Sequence, residues 1–327
     1  MRELVMKYVS SFLVMILACG LLLACSDNKK NSAEVKRPKV ALIMKSLANE
    51  FFVNMAKSAE AHHALHSADY DLIVNGIKNE SDLAQQVALV DQMIAMGVKA
   101  IVIAPADSKA LVPALVRAKQ AGIAVVNIDN RLDESVLAEY KITIPFIGPS
   151  NREGGKLVAS HVLKDFPDKA IVAILEGIPS ANNSIQRRLG FEDAVSEFGD
   201  EVVTVQSAAW DQTKAVEITS AILSQHPNIQ VILAANDNMA LGAASAVNMA
   251  KLNHSIVIAG FDNISAIHSL IKDGSVKATV DQHGDQFAIY GIEYALEMLA
   301  GKATEMNRET TIDLVTAETL SGAAEHQ

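Results

Sequence analysis

The sequence predicts an α/β protein of two doubly wound parallel-sheet lobes, on three observations. β-branched apolar runs alternate strictly with helical patterns along the chain. The runs are apolar on both faces, as strands covered by helices on both sides of a parallel sheet must be. The chain beyond residue 37 is also long enough to bury two cores more naturally than one.

Taken in order, KVALIM (Lys39 to Met44) reads as a strand and leads to a helix near Glu50 to His66. DLIVNG leads to Ser81–Met96, where Leu83, Val87, Val90 and Ile94 recur at helical spacing and Gly97 ends the helix. AIVIAP precedes a helix opened by Pro113 in its first turn and closed by Gly122. IAVVNID follows, and the rhythm is lost over Arg131–Lys141. A second series runs TIPFIG, a helix from Asn151, AIVAILEG, a helix from about Ser184, EVVTVQS and a helix capped by Asp211. It continues with VILAAN, a helix from Asp237, SIVIAGF, a helix from Ile264, VKATV, a helix from Asp285 and a late strand TTIDLV. Two doubly wound domains account for the series, with no solenoid repeat or heptad pattern.

Four of the runs end in acidic or amide residues. IAVVNIDN reaches Asp129 and Asn130, VILAAN reaches Asn236 and Asp237, IVIAGFDN reaches Asp262 and Asn263, and VKATVDQ reaches Gln282. In open parallel sheets, ligands bind beyond the carboxyl ends of the strands, so these residues predict a cleft for a polar ligand. Helix capping alone explains some Asp and Asn at such places, but not paired Asp and Asn at three of the four ends.

The first 25 residues bear on compartment. Arg2 and Lys7 give a basic start, Phe12 to Ala24 is almost wholly apolar, and LLAC ending at Cys25 meets the polar run SDNKKNSAEVKR. The pattern resembles a bacterial lipoprotein signal over 1–24, implying cleavage before Cys25, acylation of its thiol and a protein tethered outside the cytoplasmic membrane. Residues 25–37 then form the lipidated cysteine and a flexible tether. The apolar stretch is shorter than the roughly 20 residues of a membrane span. With the leader gone Cys25 is the sole cysteine, which excludes an internal disulfide or a cysteine metal site. The formal charge of −10 becomes −11, because Arg2 and Lys7 outweigh Glu3 by one. An acidic chain is a poor partner for nucleic acid.

The phrases KSLANEFF, NIDNRLD, AAWDQ, AANDNMALGA, GFDN and ATVDQ, in that order, resemble the type I periplasmic sugar-binding proteins of ABC importers, in the ribose- and allose-binding branch. The resemblance covers residues 38–317. It implies two lobes joined by three crossings, residues 36–148 with 282–310 and residues 149–281 with 311–327, closing on a ligand between them. It also implies a monomer that needs no cofactor and has ABC permease subunits as partners. A component that signals to a histidine kinase or chemoreceptor is the alternative reading.

Sugar hydroxyls both donate and accept, so carboxylates, amides and cations suit them, and flat rings suit the apolar sugar faces. Asp129, Asn130, Asn236, Asp262 and Gln282 supply the polar set. The resemblance places Asp129, Asn236, Asp262 and Gln282 on ligand positions. Phe51 and Phe52, after Asn49, and Trp210, the only tryptophan, match the stacking aromatics. Lys45 stands where the ribose branch has a small hydroxyl residue and the allose branch a lysine. Arg187 matches the Arg-x-x-Gly-Phe start of a helix, with Asn183 or Asn182 in place of a further arginine. Asn130 replaces an arginine of the ribose branch. His62, His63 and His66 could be a zinc pair at helical spacing, but they lack a placed carboxylate and read as a solvated face. No nucleophile elbow, phosphate loop or dinucleotide fingerprint occurs, so the chain does not read as an enzyme.

Overall fold

A computed structural model describes residues 37–303 and 306–324. The leader over 1–24, Cys25 and the tether up to residue 36 lie outside the described residues.

The strands in chain order are β1 (Lys39–Ser46), β2 (Asp71–Ile77), β3 (Ala100–Ile103), β4 (Ala124–Ile128), β5 (Phe146–Pro149) and β6 (Ile171–Glu176). They continue as β7 (Glu201–Ser207), β8 (Val231–Ala234), β9 (Val257–Ala259), β10 (Ala278–Asp281), β11 (Arg308–Thr310) and β12 (Asp313–Thr316). Among the described residues two six-stranded sheets result, ordered β11-β5-β4-β3-β1-β2 and β12-β10-β9-β8-β6-β7. Every pairing is parallel except β10 with β12.

Two-sided burial follows from the alternation of side chains along each strand. In the first sheet Val40, Leu42, Val102, Val126 and Ile128 face the helices Glu50–Leu65 and Gly284–Leu299. Ala41, Ile43, Ile101, Ile103 and Val125 face Leu83–Ala95 and Val112–Gln120. All of these strand residues are buried, so a polar substitution on either face would be costly.

The chain passes between the sheets three times. After β5 the helix Asn151–Leu163 packs on β9, β10 and the helix Asn182–Phe198. After β10 the helix Gly284–Leu299 returns to β3 and β4. Finally β11 pairs with β5 and β12 with β10, with only Thr311 and Ile312 between them.

The local structure departs from the sequence expectation in three places. TTIDLV is not one strand, because its two ends pair with different sheets. The stretch that loses its rhythm holds the short helix Glu134–Glu139, nucleated by Asp133, whose Oδ1 accepts from Ser135 N and Val136 N at 3.0 Å each. The helix from Ile264 begins as a 3₁₀ turn, Ser265–Ile267, before His268–Lys272.

Candidate functional site

Between the sheets the carboxyl ends of the strands line a narrow cleft with a cavity volume of about 20 Å³. Its lining comprises Lys45, Asn49, Phe51, Phe52, Glu80 and Asp129 from the first lobe, and Asn183, Arg187, Trp210, Asn236 and Asp262 from the second.

Backbone strain marks the strand ends that deliver these side chains. Asp129 has φ +62°, Trp210 +69° and Asp262 +123°, and Asn263 and His283 are also left-handed at +55°. A non-glycine residue there costs on the order of 1–3 kcal/mol and persists only where its surroundings over-determine it. Two glycines let the rings lie close. A Cβ at Gly177 would run into the Trp210 indole, and one at Gly284 into the Phe51 ring.

Asn49 and Asn236 are helix caps and cleft residues at once. Asn49 Oδ1 accepts from Phe51 N at 3.0 Å and Asn236 Oδ1 from Met239 N at 2.9 Å. Capping uses only the acceptor end of an amide. The donor end of Asn49 meets Glu80 Oε1 at 3.1 Å.

Arg187 is the hub of the second lobe. Its buried guanidinium donates to Asn151 Oδ1 at 2.7 Å, Ala235 O at 2.8 Å, Gln282 Oε1 at 3.2 Å and Asp262 Oδ1 at 3.4 Å. It also lies 3.7 Å over the Phe261 ring centroid. Gln282 Nε2 donates to the same Asp262 oxygen at 2.7 Å. Gln282 therefore stands behind the lining and orients Asp262. Burial pushes the Asp262 carboxyl well above its ordinary value, while Arg187 pulls it down and Asp237, Asp129 and Glu80 push it further up.

The first-lobe wall is simpler. Lys45 Nζ lies 2.9 Å from Asp129 Oδ2 and 5.7 Å from the ring centroids of both Phe52 and Trp210. Apart from this ion pair, the buried Asp129 Oδ2 has no hydrogen-bond partner among the described residues. Trp210 Nε1 is buried in the same condition. Burial raises the Glu80 carboxyl, against the pull of Lys45.

Asn130 does not line the cleft. The left-handed turn at Asp129 sends the next side chain away, and its amide is spent on Pro105 O at 2.9 Å, Ser108 Oγ at 3.3 Å and Asn183 N at 3.1 Å. Asn183 lines the cleft, whereas Asn182 does not. Sequence reasoning missed Glu80, although it lies just beyond the carboxyl end of β2, where the rule that found the other residues would have placed it. The histidines are structural: His62 Nδ1 meets Tyr70 Oη at 2.9 Å, His63 Nε2 meets Tyr70 O at 3.1 Å, and His62 stacks on His66. Among the described residues no group of three or more His, Cys, Asp or Glu could hold a metal ion.

The sequence profile of the family described as "Periplasmic binding protein domain" matches residues 40–303. The chain belongs to the periplasmic binding proteins. Within them it falls in the type I sugar-binding group, in the ribose and allose branch. It is 46% identical over 310 residues to the D-ribose/D-allose-binding protein of Pseudomonas aeruginosa, covering 92% of this chain and 97% of that one. A solute-binding protein of Burkholderia multivorans superimposes with a TM-score of 0.83 at 47% identity, covering 86% of this chain and 99% of that one. A second, from Actinobacillus succinogenes with bound D-allose, has a TM-score of 0.81 at 36% identity, covering 88% and 100%.

Proposed function

We propose that the protein captures a monosaccharide in this cleft, with an allose-like hexose or a related polyol favoured, and delivers it to the permease subunits of an ABC importer without altering it. One observation carries the reading. Cations, carboxylates and amides from both lobes converge with three aromatic rings on one cleft; among the described residues the buried indole N–H of Trp210 has no hydrogen-bond partner, and Asp129 Oδ2 has only the Lys45 ion pair. Buried polar groups are normally satisfied, and a polyhydroxylated ring can satisfy both.

The ligand contacts proposed are Lys45, Asn49, Phe51, Phe52, Glu80 and Asp129 on one side and Asn183, Arg187, Trp210, Asn236 and Asp262 on the other, with Gln282 behind Asp262. The lobes proposed to move are residues 36–148 with 282–310 and residues 149–281 with 311–327. A sugar that touches both lobes only when they are shut would drive closure by differential affinity. The Lys45 ammonium favours a hexose, since it reaches a hydroxyl that a short serine would not. The relatives that bind D-ribose, D-allose or both support the same class.

A thermal-shift screen over pentoses, hexoses and polyols, followed by calorimetry, tests the reading. A tight ligand at a thousandfold excess over Kd stabilises by about 4 kcal/mol. Stabilisation by no monosaccharide or polyol would overturn it. The basic, apolar and Cys25 sequence at the start supports a lipid-anchored, extracytoplasmic protein. Cys25→Ser should then release the protein from the membrane fraction with its fold intact, and retention of the variant would overturn the anchor.

A further inference from the structure

The helix Asn182–Phe198, which carries Arg187, begins without a cap of its own. Its cap residue is Ala181, which has no side-chain acceptor. The first N–H groups of any helix lack intrahelical partners and need one from elsewhere. Ser184 N finds Asn183 Oδ1 within the helix at 3.0 Å, but for the two groups before it the acceptors come from the other lobe. Asn182 N donates to Ser108 Oγ at 2.8 Å and Asn183 N to Asn130 Oδ1 at 3.1 Å. Ser108 and Asn130 follow β3 and β4 of the first sheet, whereas the helix follows β6 of the second.

The first lobe holds both acceptors ready. Ser108 Oγ donates to Asn130 Oδ1 at 3.3 Å, Asn130 Nδ2 is held by Pro105 O at 2.9 Å, and Asn127 Nδ2 holds Asn130 O at 2.8 Å. Ser108, Asn130 and Asn183 are all buried where the lobes meet. A second contact of the same kind lies beyond the cleft: Glu50 Oε1 accepts from Ser265 N at 2.8 Å, at a turn whose cap residue, Ile264, also lacks an acceptor.

We infer that Ser108 and Asn130 are positioning residues for sugar capture, which complete the helix Asn182–Phe198 in trans when the lobes shut. Closure then supplies caps that the open second lobe lacks, and it fixes the helix that aims Arg187 at Asp262 and Gln282. The inference rests on the sugar-capture reading and explains why Asn130, which adjoins a cleft carboxylate, spends its amide away from the cleft. The latch touches no sugar. It therefore sets how tightly every sugar is held and leaves the choice among sugars alone.

The test is calorimetric titration of the wild type, Asn130→Ala and Ser108→Ala with D-allose and D-ribose, together with small-angle scattering and melting without and with sugar. Loss of a cap should weaken the binding of both sugars by the same factor, roughly 5- to 20-fold. The allose-to-ribose ratio should stay at its wild-type value, and the sugar-free melting temperature should move much less than the sugar-bound one. Sugar-saturated variants should also scatter as a more open particle. Wild-type affinity in both variants would overturn the latch, and so would a changed ratio, which would mean direct sugar contact, or an equal fall of both melting temperatures, which would mean ordinary structural loss. If Asn130→Ala does not fold, Ser108→Ala and the conservative Ser108→Thr, expected to keep near-wild-type affinity, decide the matter. Should the wild type bind no sugar at all, the functional reading fails instead.

Discussion

On the second-lobe wall of the cleft, Arg187 bonds to Asn151, Ala235 and Asp262, and Gln282, at the crossing between the lobes, accepts from Arg187 and donates to Asp262. On the first-lobe wall, Lys45 pairs with Asp129 and acts on Glu80 only through space, and Asn49 reaches one oxygen of Glu80, in the loop after β2. The first arrangement is a closed circuit in which each side chain fixes the next. The second is a set of nearly independent contacts. A buried polar circuit is rigid while every member is satisfied and costly once any is removed, whereas separate contacts can change one at a time. The second wall should thus hold affinity and much local stability, and the first should hold selectivity.

The harshest way to break this contrast is Arg187→Ala. Removing the cation leaves Asp262, Asn151 and Gln282 buried without their donor, and breaking a buried pair in this way costs about 3–5 kcal/mol. Sugar binding should vanish, and the melting temperature should fall by roughly 6–20 °C, at about 2–4 °C per kcal/mol for a chain of this size. Arg187→Lys should rescue little, because one ammonium cannot reproduce a planar fork with several bonds. Calorimetry and a melting curve check both. An Arg187→Ala protein that melts with the wild type would show that the wall is no circuit.

Next in size is Asp262→Ala, which removes an acceptor whose sugar hydroxyls would stay buried without a partner, at about 1.5–3 kcal/mol, or roughly 10- to 150-fold in Kd. Trp210→Ala should cost less than Asp262→Ala and should abolish any ligand-induced change in tryptophan fluorescence, since Trp210 is the sole tryptophan. Wild-type affinity in the Asp262 variant, measured by calorimetry, would move the second wall elsewhere.

The two walls were unequally legible in the sequence. Asp129, Asn236, Asp262 and Gln282 stood out because each ends an apolar strand, and strand ends converge in a parallel sheet. The alternation of strands and helices was legible for the same reason: burial on both faces leaves a composition that loops do not share. Three-dimensional facts were not legible. Nothing in the pair Asp129-Asn130 announces that φ +62° at the first turns the second away. Glu80 was lost among the polar residues of KNESD, between DLIVNG and the helix that follows. Asn151 read only as a helix start, although it holds Arg187 across 36 residues of chain. TTIDLV read as one strand because periodicity reports burial and not which sheet does the burying.

On the first wall the sharper experiment is Lys45→Ser. If selectivity resides there, allose should lose about tenfold relative to ribose, some 1.4 kcal/mol, with little change in the melting temperature. Titration with the two sugars reads the ratio directly. If both affinities stay at wild type, Lys45 plays no part in choosing the sugar, and the division between the walls fails on this side.

The smallest effect is a pH dependence that ranks the walls without any sugar. Burial raises the carboxyls of Glu80 and Asp262, so in both the folded state holds the proton more firmly than the unfolded chain. The stability that each contributes is fully present below its unfolded value, 4.5 for Glu80 and 3.8 for Asp262, and is lost as pH rises through the folded value. The His62 imidazole runs the other way: burial first, and then repulsion by His66, lowers it below 6.5, so its contribution is lost as pH falls below that figure through the folded value. Denaturant titrations at a series of pH values from 4 upward should therefore show Glu80→Gln and Asp262→Asn each flattening the decline above the carboxylate range, with His62→Gln flattening only the fall below 6.5. Asp262 lies inside the circuit and Glu80 beside a solvated loop, so the second-wall variant should flatten the decline more. An equal or larger change in the Glu80 variant would mean that the first wall is as tightly coupled as the second, and the contrast between them would collapse.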